Sequence, residues 1–167
     1  MGVEAVGGSL TDHYDPLSRT LRLSDSVHGS NSVAAAGVAA HEAGHAIQHA
    51  AGFFPLHLRT VIYPVTSIAS QAAIPVFMLG LFAHLPFLQN IGILLFAAVV
   101  FFQVVTLPVE FDASRRALAA LQRGAILSHD EMDGARSVLR AAALTYVAAV
   151  FQALLTLLYL LMKRDRR

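Results

Sequence analysis

The sequence has no cysteine, only four glutamates and no long run of basic residues, and charged side chains make up only 14% of its 167 positions. The missing cysteine excludes disulfides, thiolate metal sites and cysteine nucleophiles together, and leaves the redox compartment open. A net charge of +1 without a Lys/Arg cluster gives nucleic acid nothing to bind, so no nucleic-acid partner is expected. The first nine residues are small and polar and lack the basic-then-apolar order of a signal peptide. What is plentiful is apolar: 56% of the chain, with a mean hydropathy of +0.58. An ordinary soluble domain is about 45–50% apolar and about 25% charged. The surplus needs a place other than a water-facing surface.

Three stretches supply that place, at 61–83, 88–107 and 141–162. Each has the roughly 20 apolar residues a helix needs to cross a bilayer, and none contains a charged side chain; Gln71, Gln103 and Gln152 are the most polar insertions. Pro75 removes one helical hydrogen bond from the first and predicts a kink there. The short link His84-Leu85-Pro86-Phe87 makes the first two an antiparallel hairpin. Core helices of a soluble bundle would show a polar face, which these lack.

Two polar regions lie outside the spans. In 11–32, the turn residues Asp15-Pro16-Leu17-Ser18 precede the alternation Leu21-Arg22-Leu23-Ser24, which predicts one strand or a small hairpin. Ser32 is the candidate N-cap of an Ala-rich helix over 33–51, stopped near Gly52 and Pro55. The second region, 108–140, reads as a helix from Val109 to Arg123 and a turn at Gly124. Ser128 with Glu131 three positions later then forms a capping box, opening a helix that runs on into the third span.

The Ala-rich helix carries His41-Glu42-Ala43-Gly44-His45. Histidines four apart lie one turn apart on the same face, so both imidazoles can reach one ion, and Glu42 beside them can reach a water on that ion. A catalytic zinc lowers the pKa of such a water to about 7, and a carboxylate can then take its proton. From the frequencies of His and Glu here, the pattern would arise by chance in roughly one such chain in a hundred. An incidental polar face would also have to bury two histidines and a glutamate among Ala, Gly, Val and Ile.

A catalytic zinc has three protein ligands and one open position. Glu4 sits in a terminus expected to fray, and Glu131 is accounted for by its cap. Glu110 remains; it follows the second span directly, so the hairpin returns it to the membrane face of His41 and His45. Asp112 is the rival ligand, or else an outer partner to a ligand imidazole. His49 continues the four-residue ladder about 80° around the helix from His41, as a surface or satisfied core histidine, with contact at the edge of the site as the alternative. His57, His84 and His129 read as ordinary loop or interface histidines. The cluster Asp12-His13-Tyr14-Asp15 lines the cleft, supplies an oxyanion donor, or only forms a turn. Arg115 and Arg116 face headgroups or solvent, with a substrate carboxylate as the alternative partner.

Three segments, Leu10-Thr11-Asp12-His13-Tyr14-Asp15-Pro16, Val38-Ala39-Ala40-His41-Glu42-Ala43-Gly44-His45-Ala46-Ile47-Gln48 and Leu107-Pro108-Val109-Glu110-Phe111-Asp112-Ala113-Ser114-Arg115-Arg116-Ala117-Leu118, together resemble the bacterial neutral zinc metallopeptidases of the YugP type. The resemblance covers nearly the whole chain. It implies a mainly α, membrane-embedded, zincin-like metalloprotease fold with a small N-terminal β-strand or hairpin, read as a single membrane metallopeptidase domain over 1–167. The layout is also similar to that of the HtpX membrane proteases, and by that similarity Glu110 carries over as third ligand. The HtpX pattern continues from the glutamate through two residues to Ala and Asp; here Ala113 is followed by Ser114. Members of the YugP-type family usually carry another membrane helix ahead of the Thr-Asp-His region, and none precedes it in this sequence.

The expected activity is zinc-dependent hydrolysis of peptide bonds, with one Zn2+ on His41, His45 and Glu110 and Glu42 as general base. Its substrates would be proteins or peptides at the bilayer, paired in extended form to the edge of the 21–23 strand. Arg59, Arg115, Arg116, Arg123, Arg136 and Arg140 favour a cytoplasmic catalytic face, although the basic tail 163–167 claims the cytoplasm for the other side. An intramembrane protease would place the motif inside a span with an aspartate from a later span, and no span here holds an acid. A membrane adaptor or chaperone with a structural or vestigial zinc site is the non-enzymatic alternative.

Overall fold

The computed structural model describes residues 1–165 and divides into two compact units, one built from 1–56 with 108–145 and the other from 57–107 with the chain from Tyr146 onward. The elements in chain order are β1 (Gly2–Val6), β2 (His13–Asp15), β3 (Thr20–Ser24), α1 (Asp25–His28), α2 (Val33–Ala50), α3 (Phe54–Phe82), α4 (Pro86–Arg123) and α5 (His129–Asp165). The fold is mainly helical with a small N-terminal sheet, as expected. Of the basic tail, Arg166 and Arg167 lie outside the described residues.

In the first unit, the sheet has the order β1-β3-β2, with β1 parallel and β2 antiparallel to β3. The β2–β3 hairpin turns where Asp15 does, because its carboxylate accepts from the Leu17 N–H (2.9 Å) and the Ser18 hydroxyl (2.8 Å). Two expectations are corrected here. Glu4 is not in a frayed end: it lies in β1, in register with Arg22, whose Nε donates to it at 3.3 Å. The 21–23 strand is the centre of the sheet, so its backbone groups are spent on both neighbours and it has no edge to offer a substrate.

Helix α2 starts where Ser32 accepts the Ala35 N–H at 3.1 Å, the cap that the sequence predicts. It ends before Gly52, which takes the left-handed conformation (φ 63°) favoured after a helix. The capping box also forms: Ser128 N–H donates to Glu131 at 2.9 Å and Glu131 N–H to Ser128 at 3.4 Å. The core of this unit is a narrow seam of small side chains. Val109, Ala113 and Ala117 on α4 and Ala135 on α5 are 0% exposed, and Leu121 and Leu139 continue the same four-residue spacing.

In the second unit, α3 carries Pro64 and Pro75 within it, and buries Ala69, Ala73 and Phe77. Backbones pass closely at Gly92, where a β-carbon would stand 2.6 Å from the Phe77 side chain. Val61, Val65, Ile68, Leu79, Leu94, Phe101, Phe151 and Leu155 are exposed. Helices α3, α4 and α5 are each long and apolar enough to cross a membrane, and the predicted spans fall on them. The boundary expected at Pro108 does not exist: α4 passes through it. A proline removes one backbone donor, and the long flanking turns carry the helix across that gap.

Candidate metal centre

His41 and His45 project from α2 one turn apart, with ring centroids 4.8 Å from each other in an edge-to-face arrangement. Glu110, 1% exposed, comes to them from α4. Its Oε2 lies 3.1 Å from His41 Nε2 and its Oε1 3.8 Å from His45 Nε2. The ligand atoms of these three side chains all lie within 4.8 Å of one another, and among the described residues this is the group able to hold a metal ion. Two imidazole nitrogens and a carboxylate oxygen are donors that zinc accepts, in the number a catalytic site uses. A buried carboxylate facing two imidazoles is also a setting that suits a cation. The residues fit the ion.

The close approach of α2 and α4 depends on Gly44. A β-carbon there would stand 2.3 Å from the Ala113 carbonyl oxygen, so only glycine allows the two backbones this near. Within the motif, Gly44 is therefore what lets Glu110 come near the two histidines.

Glu42 is buried beside this group, and its Oε2 accepts the Tyr14 N–H of strand β2 at 3.0 Å. Burial pushes its carboxyl above the usual carboxylate range; His41 pulls it down, Glu110 adds to the rise, and the Tyr14 N–H opposes it. The Asp12–Asp15 cluster serves that placement. Asp12 accepts from both the N–H (2.7 Å) and the hydroxyl (3.0 Å) of buried Ser24 at the end of β3, and Asp15 closes the turn. Tyr14 also reaches His49, with its hydroxyl 2.8 Å from His49 Nδ1.

Each of the two imidazoles has an outer partner that sequence reading did not single out. His41 Nδ1 lies 3.2 Å from the Ser114 hydroxyl, and His45 Nδ1 lies 3.0 Å from Gln48 Oε1. Ser114 stands where the HtpX pattern has aspartate, and here that position supports the His41 ring, because a hydroxyl can either accept from it or donate to it. Asp112 touches neither ring. It accepts from Gln48 Nε2 at 3.0 Å and pairs with Arg115 and Arg116, so those two arginines have a carboxylate of their own chain. His57, His84 and His129 are exposed and outside the group. Gln48 three positions after His45, and Ser114 four after Glu110, are spacings that put them on the ligand faces of their helices; that was the available signal.

Over residues 1–165 the chain matches the family described as "Putative neutral zinc metallopeptidase", and it belongs to that family. It is 47% identical over 160 residues to "Putative membrane protease YugP" of Bacillus subtilis (strain 168), a match that covers 96% of this chain and 71% of that protein. No solved structure matches the chain. Family, relative and the three long apolar helices agree on a membrane-associated zinc peptidase.

Proposed function

We propose that the chain is a multi-pass membrane zinc endopeptidase that holds one Zn2+ on His41, His45 and Glu110 and uses Glu42 as its general base. The convergence of the three ligand atoms within 4.8 Å carries this reading. When bound, zinc polarises a carbonyl and lowers the pKa of a water to about 7. Glu42 lies next in sequence to His41, and its fixed carboxylate takes the proton from the attacking water. As the water oxygen bonds to the peptide carbon and the carbon–nitrogen bond breaks, Glu42 delivers that proton to the departing amine. The Tyr14 N–H holds the carboxylate in place through this exchange. Burial raises its proton affinity, the direction that favours holding the proton between the two transfers. Substrates are membrane proteins or their exposed tails, because the ligand-bearing segments adjoin apolar spans in the chain. Arginines at 59, 115, 116, 123, 136 and 140 support a cytoplasmic catalytic face.

Glu42→Gln tests the reading. Cleavage of an unfolded protein should fall by about 10²-fold or more, with bound zinc retained. Unchanged cleavage overturns the assignment of Glu42, and a wild type without activity on any unfolded protein favours a membrane adaptor or chaperone.

A further inference from the structure

We infer that Gln48 sets the tautomer of His45 and so presents His45 Nε2 to the ion, an inference that rests on the zinc reading above. Gln48 is 0% exposed. Its Nε2 lies 2.7 Å from the Val109 carbonyl oxygen and 3.0 Å from Asp112 Oδ2. A carbonyl and a carboxylate only accept, so the end of the amide that faces them is the NH2. Turning the amide over would bring its oxygen against two acceptors in a buried place and leave the NH2 without them. The amide therefore has one orientation, and its oxygen is the group 3.0 Å from His45 Nδ1. That nitrogen must carry the hydrogen. In a neutral imidazole the other nitrogen then bears the lone pair, which is the form a metal needs.

The distances to Glu110 fit. His45 Nε2 is 3.8 Å from Glu110 Oε1, beyond hydrogen-bond range, whereas His41 Nε2 is 3.1 Å from Oε2. Ser114 can serve His41 in either tautomer, while the locked amide serves His45 in only one. The lock extends to the surface. Asp112 is held by Arg115 and Arg116, and Arg116 stacks over the Phe53 ring at 5.6 Å. Gln48 is thus a positioning residue, with Val109 and Asp112 fixing its amide.

The test is zinc affinity by chelator competition, together with ¹⁵N NMR of the histidine rings in the zinc-loaded protein. Wild-type His45 should coordinate through Nε2 and keep a slowly exchanging proton on Nδ1. Gln48→Leu should weaken zinc by about 10–100-fold and speed exchange at that nitrogen. Asp112→Asn should weaken it less, because the Val109 carbonyl still orients the amide. Coordination of wild-type His45 through Nδ1, or equal zinc affinity in a folded Gln48→Leu, overturns the inference and leaves the proposed function standing. If Gln48→Leu does not fold, the wild-type ring spectrum decides alone. A wild type that binds no zinc overturns both.

Discussion

Gly44 lies so close to Ala113 that a β-carbon on it would stand 2.3 Å from the Ala113 carbonyl oxygen. Gly44→Ala gains about 1 kcal/mol of helix propensity but meets backbone, which cannot rotate away. Overpacking of this kind costs about 1–3 kcal/mol or more, so the clash wins. A lower melting temperature and loss of zinc from the purified protein should appear together. Unchanged melting with full zinc would show that the helices can part without harm.

Glu110→Ala removes the carboxylate between the two imidazoles. The loss of zinc affinity should exceed the about 10–100-fold expected for removing an outer partner. Metal analysis of wild type beside the variant measures it, and equal zinc content would transfer the third-ligand role elsewhere.

Ser114→Ala deletes the hydroxyl 3.2 Å from His41 Nδ1 and leaves the ring without that partner. Zinc affinity should drop about tenfold, with helix content by circular dichroism preserved. The same chelator titration that ranks the Gln48 variants reads this one.

Asp12→Ala removes the acceptor shared by the N–H and hydroxyl of buried Ser24 and leaves the hydroxyl only Ser26. Hydrogen bonds to a charged group contribute about 1.5–3 kcal/mol each, so denaturant unfolding should shift by at least the lower figure. Because β2 also carries the amide that holds Glu42, kcat should fall while KM changes little. A variant with lowered stability and untouched kcat would separate the hairpin from the base.

The Ser18 hydroxyl, then Arg22 and the Leu17 N–H, hold the Asp15 carboxyl well below the usual carboxylate range. A depressed folded value means that the turn's support is present above the unfolded pKa of about 3.9 and is lost only as pH falls through the folded one. Amide signals of Leu17 and Ser18 should therefore persist at about pH 3, below the ordinary Asp value of about 3.9, and Asp15→Ala, which removes the acceptor, should lose their protection at every pH.

Local chemistry was legible in the sequence. The Ser32 cap, the Ser128–Glu131 box, the Asp15 turn and the three spans each rest on neighbouring residues, and each is where the pattern puts it. The nearness of Glu110 to His41 and His45 was reachable too, because glutamate is scarce and the short link between spans limits where the chain can return. Partners drawn from elsewhere in the chain were not legible. Nothing near Val3 announces its pairing with Leu21. The alternation of 21–23 marks a strand but says nothing of its central position. Gln48 reads as one more polar residue on a helix until α4 brings Val109 and Asp112 to its amide. Pro108 reads as a boundary because local rules count the missing donor and not the turns on either side.

The seam of Val109, Ala113 and Ala117 runs beside Glu110 on the same helix. Side-chain volume in this unit's interior therefore doubles as a gauge for the spacing between carboxylate and imidazoles. A methyl group added at Ala113, whose backbone lies against Gly44, would act on side chains it never touches, so the interior and the His41, His45 and Glu110 group are bound to change together.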